Sequence, residues 1–481
     1  MINTALVSWK AFGPIVPEMF LVCIGIFLIG LDIFAPKRRE FLPWLTVIGC
    51  LAVMLMVAGE HNTVGFGGMI IADSYAAFFK VICLLGVILT ALMSEHFRRT
   101  EGLQQGEYYS LMIFSAVGML LMASAGDLMV LYLGLELMAL SIYCLVGLPR
   151  HDGRAAEAAM KYLLMGGFAS ALLLYGISIV YGLTGTTDIA KIAQYTASTN
   201  LLHNPALLAG LGLMIAAFCF KVAIAPFHFW TPDVYDGAPT AITAFMSVGP
   251  KAAGFAVFGR VLLTGFPQFH DQWGILLSSL ALLTMAIGNI TALSQTSIKR
   301  MLAYSAVAHA GYSLLGVLSG TAAGLSATMT YLLTYGFMNM GAFAILVLLA
   351  TPGNRRESLE DYKGLAKTNP MAAFLMLIFM FSLTGIPPTA GFIGKFYLLQ
   401  AALGAGYTMT VIGLVIFSSI SAFFYLRVVR YMYMDDPQEE IKLEFTPGIS
   451  AALGIALIGV LGIGMLPGSV IGQAASAILG Q

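Results

Sequence analysis

The chain has 481 residues, 59% of them hydrophobic and only 10% charged, with 24 basic side chains against 24 acidic ones. A soluble domain carries about 25% charged residues, so a soluble fold is excluded. The absence of a basic run, a glycine-rich phosphate loop and a nucleotide fingerprint argues against nucleic-acid binding and against a nucleotide site in this chain.

Apolar runs long enough to cross about 30 Å of hydrocarbon number fourteen, at approximately 13-35, 41-59, 72-94, 107-124, 127-148, 155-183, 205-225, 240-263, 274-294, 300-319, 325-351, 371-403, 407-434 and 447-472. The expected fold is all-α and polytopic, with lipid around it and little chain left for a soluble domain. The N-terminus, MINTALVSWKAFGPIVPEMF, has one lysine and no small-residue cleavage site, which reads as a retained span. The five cysteines (Cys23, Cys50, Cys83, Cys144, Cys219) all lie in apolar runs without zinc or iron-sulfur spacing and read as packing residues, with no metal site. Loops between odd and even segments hold sixteen Lys and Arg: Lys37, Arg38, Arg39, Arg98, Arg99, Arg150, Arg154, Lys299, Arg300, Arg355, Arg356, Lys363, Lys367, Arg427, Arg430 and Lys442. The other face has Lys10, Lys191 and, at a span edge, Arg260. The positive-inside rule then puts the basic face in the cytoplasm and both termini outside.

Segment 7, LLAGLGLMIAAFCFKVAIAPFHFWTP, and segment 12, MLIFMFSLTGIPPTAGFIGKFYLL, are expected to break at Pro226 and at Pro387-Pro388, because proline removes a backbone donor and clashes with the preceding turn. In a membrane such breaks persist only where protein or water meets the freed carbonyls, and paired broken spans point to inverted repeats with a midplane ion site. Segments 4 to 8 and 9 to 13 would be two five-helix units, inverted because the count is odd. The expected division is 1-106 for helices 1 to 3, 107-265 and 274-434 for the two units, and 435-481 for the last helix. Glu136 precedes Lys221 by 85 residues and His309 precedes Lys395 by 86, a spacing compatible with such units.

Five charged side chains stand inside these runs: Glu136, Lys161, Lys221, Lys251 and Lys395. An ion at the centre of a bilayer costs at least about 2.5 to 3.5 kcal/mol, so their presence marks a candidate proton pathway, with His309 as a relay between the units. Burial disfavours an ammonium ion and a neighbouring carboxylate favours it. At an effective dielectric of about 20 and a separation of roughly 6 Å the attraction is on the order of 2.8 kcal/mol. Bringing Glu136 toward Lys221 would load a proton and withdrawing it would release one. Static ion pairs that orient helices are the competing reading, and Lys161 has a plain alternative as the i, i+4 partner of Glu157. Lys80, Glu18 and Asp32 are weaker candidates, Lys80 as a snorkelling or locally paired side chain. His228 and Asp233 are expected to shape the loop after segment 7.

The strings FKVAIAPFHFWTPDVYDGAPT, NITALSQTSIKRMLAYSAVAHAGY and LTGIPPTAGFIGKFYLL resemble the antiporter-like membrane subunits of respiratory complex I, within them the subunit N group. Subunits L and M usually read LPDA where this chain has TPDV, and subunit M tends to carry glutamate at the position of Lys395. The resemblance implies fourteen transmembrane helices with two inverted five-helix repeats. It assigns proton-path roles to Glu136, Lys221, Lys251 and Lys395, with His309 as the central histidine. It further implies neighbouring antiporter-like subunits as partners, a bacterial inner membrane in preference to an organellar one, and NADH, FMN, iron-sulfur clusters and quinone held by other subunits, with no cofactor in this chain. A cation/proton antiporter subunit of the same superfamily, a hydrogenase-type membrane subunit and a purely structural subunit are the rival readings.

Overall fold

Hydrocarbon offers backbone groups no partner, so a chain this apolar has to satisfy them inside helices. The computed structural model does so, describing residues 9–59, 62–101, 106–199, 201–351, 354–437, 439 and 443–477. Lys442 lies outside them, as do the side chains of Lys10, Arg98 and Arg99. After a 3-10 segment, Trp9–Ile15, come α1 (Val16–Phe34), α2 (Leu42–Ala58), a hairpin of β1 (Thr63–Gly65) and β2 (Ile70–Ala72), and α3 (Ser74–Glu101). The first unit follows as α4 (Gly106–Ser124), α5 (Leu128–Val146), α6 (Gly153–Thr184), α7 (Ile189–Ser198), α8 (Pro205–Val222), α9 (Trp230–Gly237) and α10 (Thr240–Arg260). The second comprises α11 (His270–Leu293), α12 (Ile298–Leu318), α13 (Ala322–Leu349), α14 (Leu365–Thr368), α15 (Pro370–Thr384), α16 (Ala390–Gly404) and α17 (Thr408–Met434), before α18 (Pro447–Met465) and α19 (Gly468–Ser476). Among the described residues thirteen helices are long and apolar enough to cross a membrane. The expected twelfth segment is the shorter α15 together with α16, which accounts for the fourteenth crossing.

Both expected breaks are present, and they share one backbone design. α8 ends on Ala223 at φ +64°, and α15 ends on Gly385 at φ +92°. The next amide, Ile224 or Ile386, donates back to the carbonyl of Cys219 (2.8 Å) or Phe381 (3.0 Å), so each half-helix closes in a Schellman turn ahead of its proline. The two motifs are 162 residues apart at every one of these positions. A second internal match lies at the helix starts. Asp127 caps α5 and bridges Asp188, and Ser297 caps α12 and bridges Ser358, each 170 residues on. α5 and α12 are the fifth and tenth crossings, so they run in opposite directions, as inverted units require.

The core is made by α10, α12 and α13, whose apolar stretches are 100%, 94% and 89% buried, and the lysine at 251 and the histidine at 309 therefore stand where lipid cannot reach. The outer helices turn apolar side chains such as Phe27, Leu55, Phe168 and Phe423 outward, the arrangement that a hydrocarbon surround favours. The first three helices are tied on by charge: Glu18 of α1 meets Lys80 of α3 at 2.9 Å, both buried, and Arg260 forks onto Asp73 at 2.8 and 2.9 Å while donating to the Ala123 carbonyl. Asp32 pairs with Arg39 at the basic face. Cys50, Cys83 and Cys219 are packing residues as expected, whereas Cys23 and Cys144 point outward.

α4 and α5 touch backbone to backbone at Gly118 and Gly134. A β-carbon added at Gly118 would come to 2.5 Å from the Gly134 carbonyl and from the Met138 amide, and backbone on both sides cannot yield. Gly118→Val is expected to destabilise the fold by about 1 to 3 kcal/mol and to reduce the assembled complex on blue native gels. Gly167→Ala, with open space around its position, is the control that leaves the band unchanged.

Candidate functional site

The first half of the site is a carboxylate and an ammonium held apart. Glu136 lies on α5 two turns before Tyr143, on one stripe of that helix. Lys221 occupies the last turn of α8, 4% exposed, with Nζ 5.9 Å from the centre of the Tyr143 ring. Lys221 Nζ and Glu136 Oε1 are both buried without a hydrogen-bond partner. The two, both among the described residues, form no direct ion pair. The break positions Lys221: because α8 stops at Val222, the lysine stands in its last turn, at the negative end of the helix dipole.

Lys251 stands in the middle of α10, 2% exposed, and donates to the Ala306 carbonyl of α12. One turn earlier on α10, Ser247 accepts from Asn339 of α13 at 2.6 Å. His309 of α12 is 2% exposed and bonded at both nitrogens, Nδ1 to the Tyr331 hydroxyl (2.6 Å) and Nε2 to the Tyr425 hydroxyl (3.1 Å). Lys251 meets α12 at Ala306, one turn before His309, and Lys395 lies against the Tyr312 ring, one turn after it, so the histidine stands between the two lysines. Lys395 follows the second break, in the second turn of α16. Its Nζ donates to the carbonyls of Leu383 (2.9 Å) and Thr384 (2.8 Å) at the end of α15 and to Ser418 Oγ (2.9 Å), and lies 5.1 Å from the Tyr312 ring centre. Two free carbonyls at a helix C-terminus supply the partial negative charge that an ammonium ion needs in a dry site.

Four of the expected residues therefore form one interior row, Lys221, Lys251, His309 and Lys395, with Glu136 at its start. Lys161 does not join it. Its side chain is 44% exposed and pairs with Glu157 (2.8 Å) and Asp233 (3.2 Å) at the basic rim. The reason is length: α6 has 32 residues, about 48 Å at 1.5 Å per residue, so a lysine nine residues into it is near the surface. The i, i+4 alternative is the arrangement found. Lys299, counted as a loop cation, is instead fully buried on Glu357 (2.7 Å). Asp233 does more than shape a loop, since it also takes Arg300 at 3.1 Å. Pro226 and Pro388 lie just past the two Schellman turns, with Pro387 between Ile386 and Pro388.

Neutral polar groups that carry no formal charge link the row: Tyr331, Tyr335 and Asn339 on α13, Tyr312 on α12, and Ser418 and Tyr425 on α17. A signal was present for the first three, which recur every four residues in TYLLTYGFMN and so share one helix face.

A family model described as "NADH:quinone oxidoreductase/Mrp antiporter, TM" matches residues 125–424. The NADH-quinone oxidoreductase subunit N of Desulfovibrio desulfuricans is 52% identical over 476 residues, covering 95% of this chain and 94% of that one. The chain belongs to the subunit N family of NADH-quinone oxidoreductase. Subunit N of Trichlorobacter lovleyi is 47% identical over 96% of both chains. A chain of respiratory complex I from Thermus thermophilus superposes with a TM-score of 0.81 at 32% identity, over 96% of this chain and all of that one. A chain of the Mrp complex from Dietzia sp. superposes equally well at 21% identity, a likeness of fold alone. Glu136, Lys221, Lys251, His309 and Lys395 lie within the matched span.

Removing one partner of a buried hydrogen-bonded group leaves the other unsatisfied, which costs about 1 to 3 kcal/mol. Tyr331→Phe leaves His309 Nδ1 without its partner and is expected to lower the thermal midpoint of the purified complex and to slow its turnover. Tyr175→Phe, on an exposed ring of α6, should change neither.

Proposed function

We propose that this chain is a proton-translocating membrane subunit of an NADH:quinone oxidoreductase, seated beside other antiporter-like subunits. NADH, FMN, iron-sulfur clusters and quinone belong to partner subunits, and this chain contributes translocation to the enzyme without a redox centre of its own. Two inverted units, 107-265 and 274-434, each supply a broken helix with a lysine at the break. Protons pass along Lys221, Lys251, His309 and Lys395, with Glu136 setting the charge of Lys221. The membrane is the bacterial inner membrane, with both termini on the periplasmic side, in keeping with the excess of Lys and Arg on the other face.

One observation carries this reading. Lys221, Lys251 and Lys395 are buried cations in contact with carbonyls, hydroxyls and rings, and none of them touches a carboxylate among the described residues. A lysine locked in a tight ion pair holds its proton, while one met only by neutral dipoles can give it up. The scale is adequate, because moving a charge against the membrane potential takes about 2.3 kcal/mol per 100 mV, close to what the approach of Glu136 supplies.

Lys221→Ala in the complete complex is expected to leave assembly intact, to lower quinone-reductase turnover by roughly tenfold and to reduce the protons moved per electron. Ordinary turnover with full proton stoichiometry would count against the mechanism. Transport that requires sodium and persists without flavin or iron-sulfur subunits would favour the antiporter reading.

A further inference from the structure

α9 is the first element after the break behind Lys221, and cations from both five-helix units hold it. From α6, Arg154 reaches Asp236 at 3.0 Å and Lys161 reaches Asp233 Oδ2 at 3.2 Å. From α12, Arg300 reaches the other oxygen of Asp233 at 3.1 Å and lies 3.8 Å from Asp236. Lys299, with no exposed surface, donates to the carbonyls of Asp236 (3.1 Å) and Ala238 (2.7 Å) at the C-terminal end of α9 and to Glu357 (2.7 Å). Glu157, the remaining charge at this cluster, pairs with Lys161. At its other end α9 grips the lysine's own half-helix: Trp230 Nε1 donates at 2.9 Å to the carbonyl of Phe220, the residue before Lys221. The Trp230 ring stacks on Tyr162, neighbour of Lys161, with centres 4.4 Å apart and planes 7° from parallel. α9 has eight residues, a rod of roughly 12 Å, fixed at one end to the last turn of α8 and at the other to the first turn of α12.

Resting on the proton-carrying role of Lys221, we propose that α9 is the mechanical link between the two units, with Asp233 as its positioning residue. When Lys221 gains or loses its charge, the last turn of α8 shifts against Glu136, Trp230 moves with Phe220, and the Asp233–Arg300 contact passes the shift to α12. That helix carries His309, so the second unit senses the state of the first. Asp233 acts through Lys221 and Arg300 and does not itself carry the proton. A single carboxylate divided between α6 and α12 suits this task, since a displacement of α9 from one cation toward the other lengthens one contact as it shortens the other.

The test is a double-mutant cycle in the complete complex in native membranes, with Asp233→Asn, Arg300→Gln, the pair, and Asp233→Glu as the conservative variant. Assembly on native gels, quinone-reductase turnover, the KM for quinone and protons moved per electron are the readouts. Each single change is expected to cut coupled turnover roughly tenfold with the quinone KM unchanged. The pair should be no worse than the more damaging single, and Asp233→Glu should restore most of the rate. Multiplying effects in the pair, or loss at Asp233→Asn with full activity at Arg300→Gln, would overturn the link, the latter because it is the pattern of a proton carrier. Should Asp233→Asn fail to assemble, Arg300→Lys keeps the charge but loses the guanidinium fork, and wild-type coupling there would overturn it equally. Lys221→Ala run alongside separates the two levels: full pumping in that variant removes the underlying reading, while lost pumping there with multiplying effects in the cycle removes only the link.

Discussion

A charge that leaves water for hydrocarbon must be met by dipoles inside the protein, and at Lys395 this chain supplies them from the end of a broken helix. Lys395 takes two carbonyls from the last turn of α15, and Lys221 lies in the last turn of α8. An unbroken helix would have used those carbonyls internally. The Schellman turn at Gly385, with its left-handed residue, thus frees the carbonyls that Lys395 takes, while Lys221, ahead of the turn at Ala223, faces the Tyr143 ring. At Gly385 the space is shared directly, since a side chain there would come to 3.1 Å from the Lys395 methylene at Cδ.

The same constraint separates two kinds of ion in the structure. Structural charges are closed pairs: Glu18 with Lys80, Asp73 with Arg260, Glu357 with Lys299. Breaking one would strand a buried ion, so these pairs hold helices in register and keep their charge. The row from Lys221 to Lys395 is built differently, from cations facing neutral groups, with a histidine bonded at both nitrogens to tyrosines between them. Lys251 and Lys395, met by carbonyls and a hydroxyl, can change protonation without stranding a buried carboxylate.

The span pattern and both breaks were legible in the sequence because each follows from backbone physics: apolar run length for the spans, and missing donors at Pro226, Pro387 and Pro388 for the breaks. Depth was less legible. Lys161 stands in an apolar run as convincing as that of Lys251, but α6 is longer than the bilayer is thick, so membership of a run did not fix distance from water. Lys299 misled in the opposite sense, since a basic residue at a helix start looks like a loop cation until α9 and Glu357 close over it. The tyrosines around His309 carry no formal charge and so do not stand out in an apolar run, although Tyr331, Tyr335 and Asn339 recur at helical spacing. Asp233 could not be valued from the sequence at all, because its partners are 72 and 67 residues away.

Lys251 lies on the one core helix that belongs to the first unit and touches α12 of the second through the Ala306 carbonyl. The central claim is that protons cross between units at this point. Proton-to-electron stoichiometry of the reconstituted complex carrying Lys251→Met measures it directly, the methionine keeping most of the volume and none of the charge. The account predicts an assembled complex that moves fewer protons per electron. Undiminished stoichiometry at the ordinary turnover rate would contradict it.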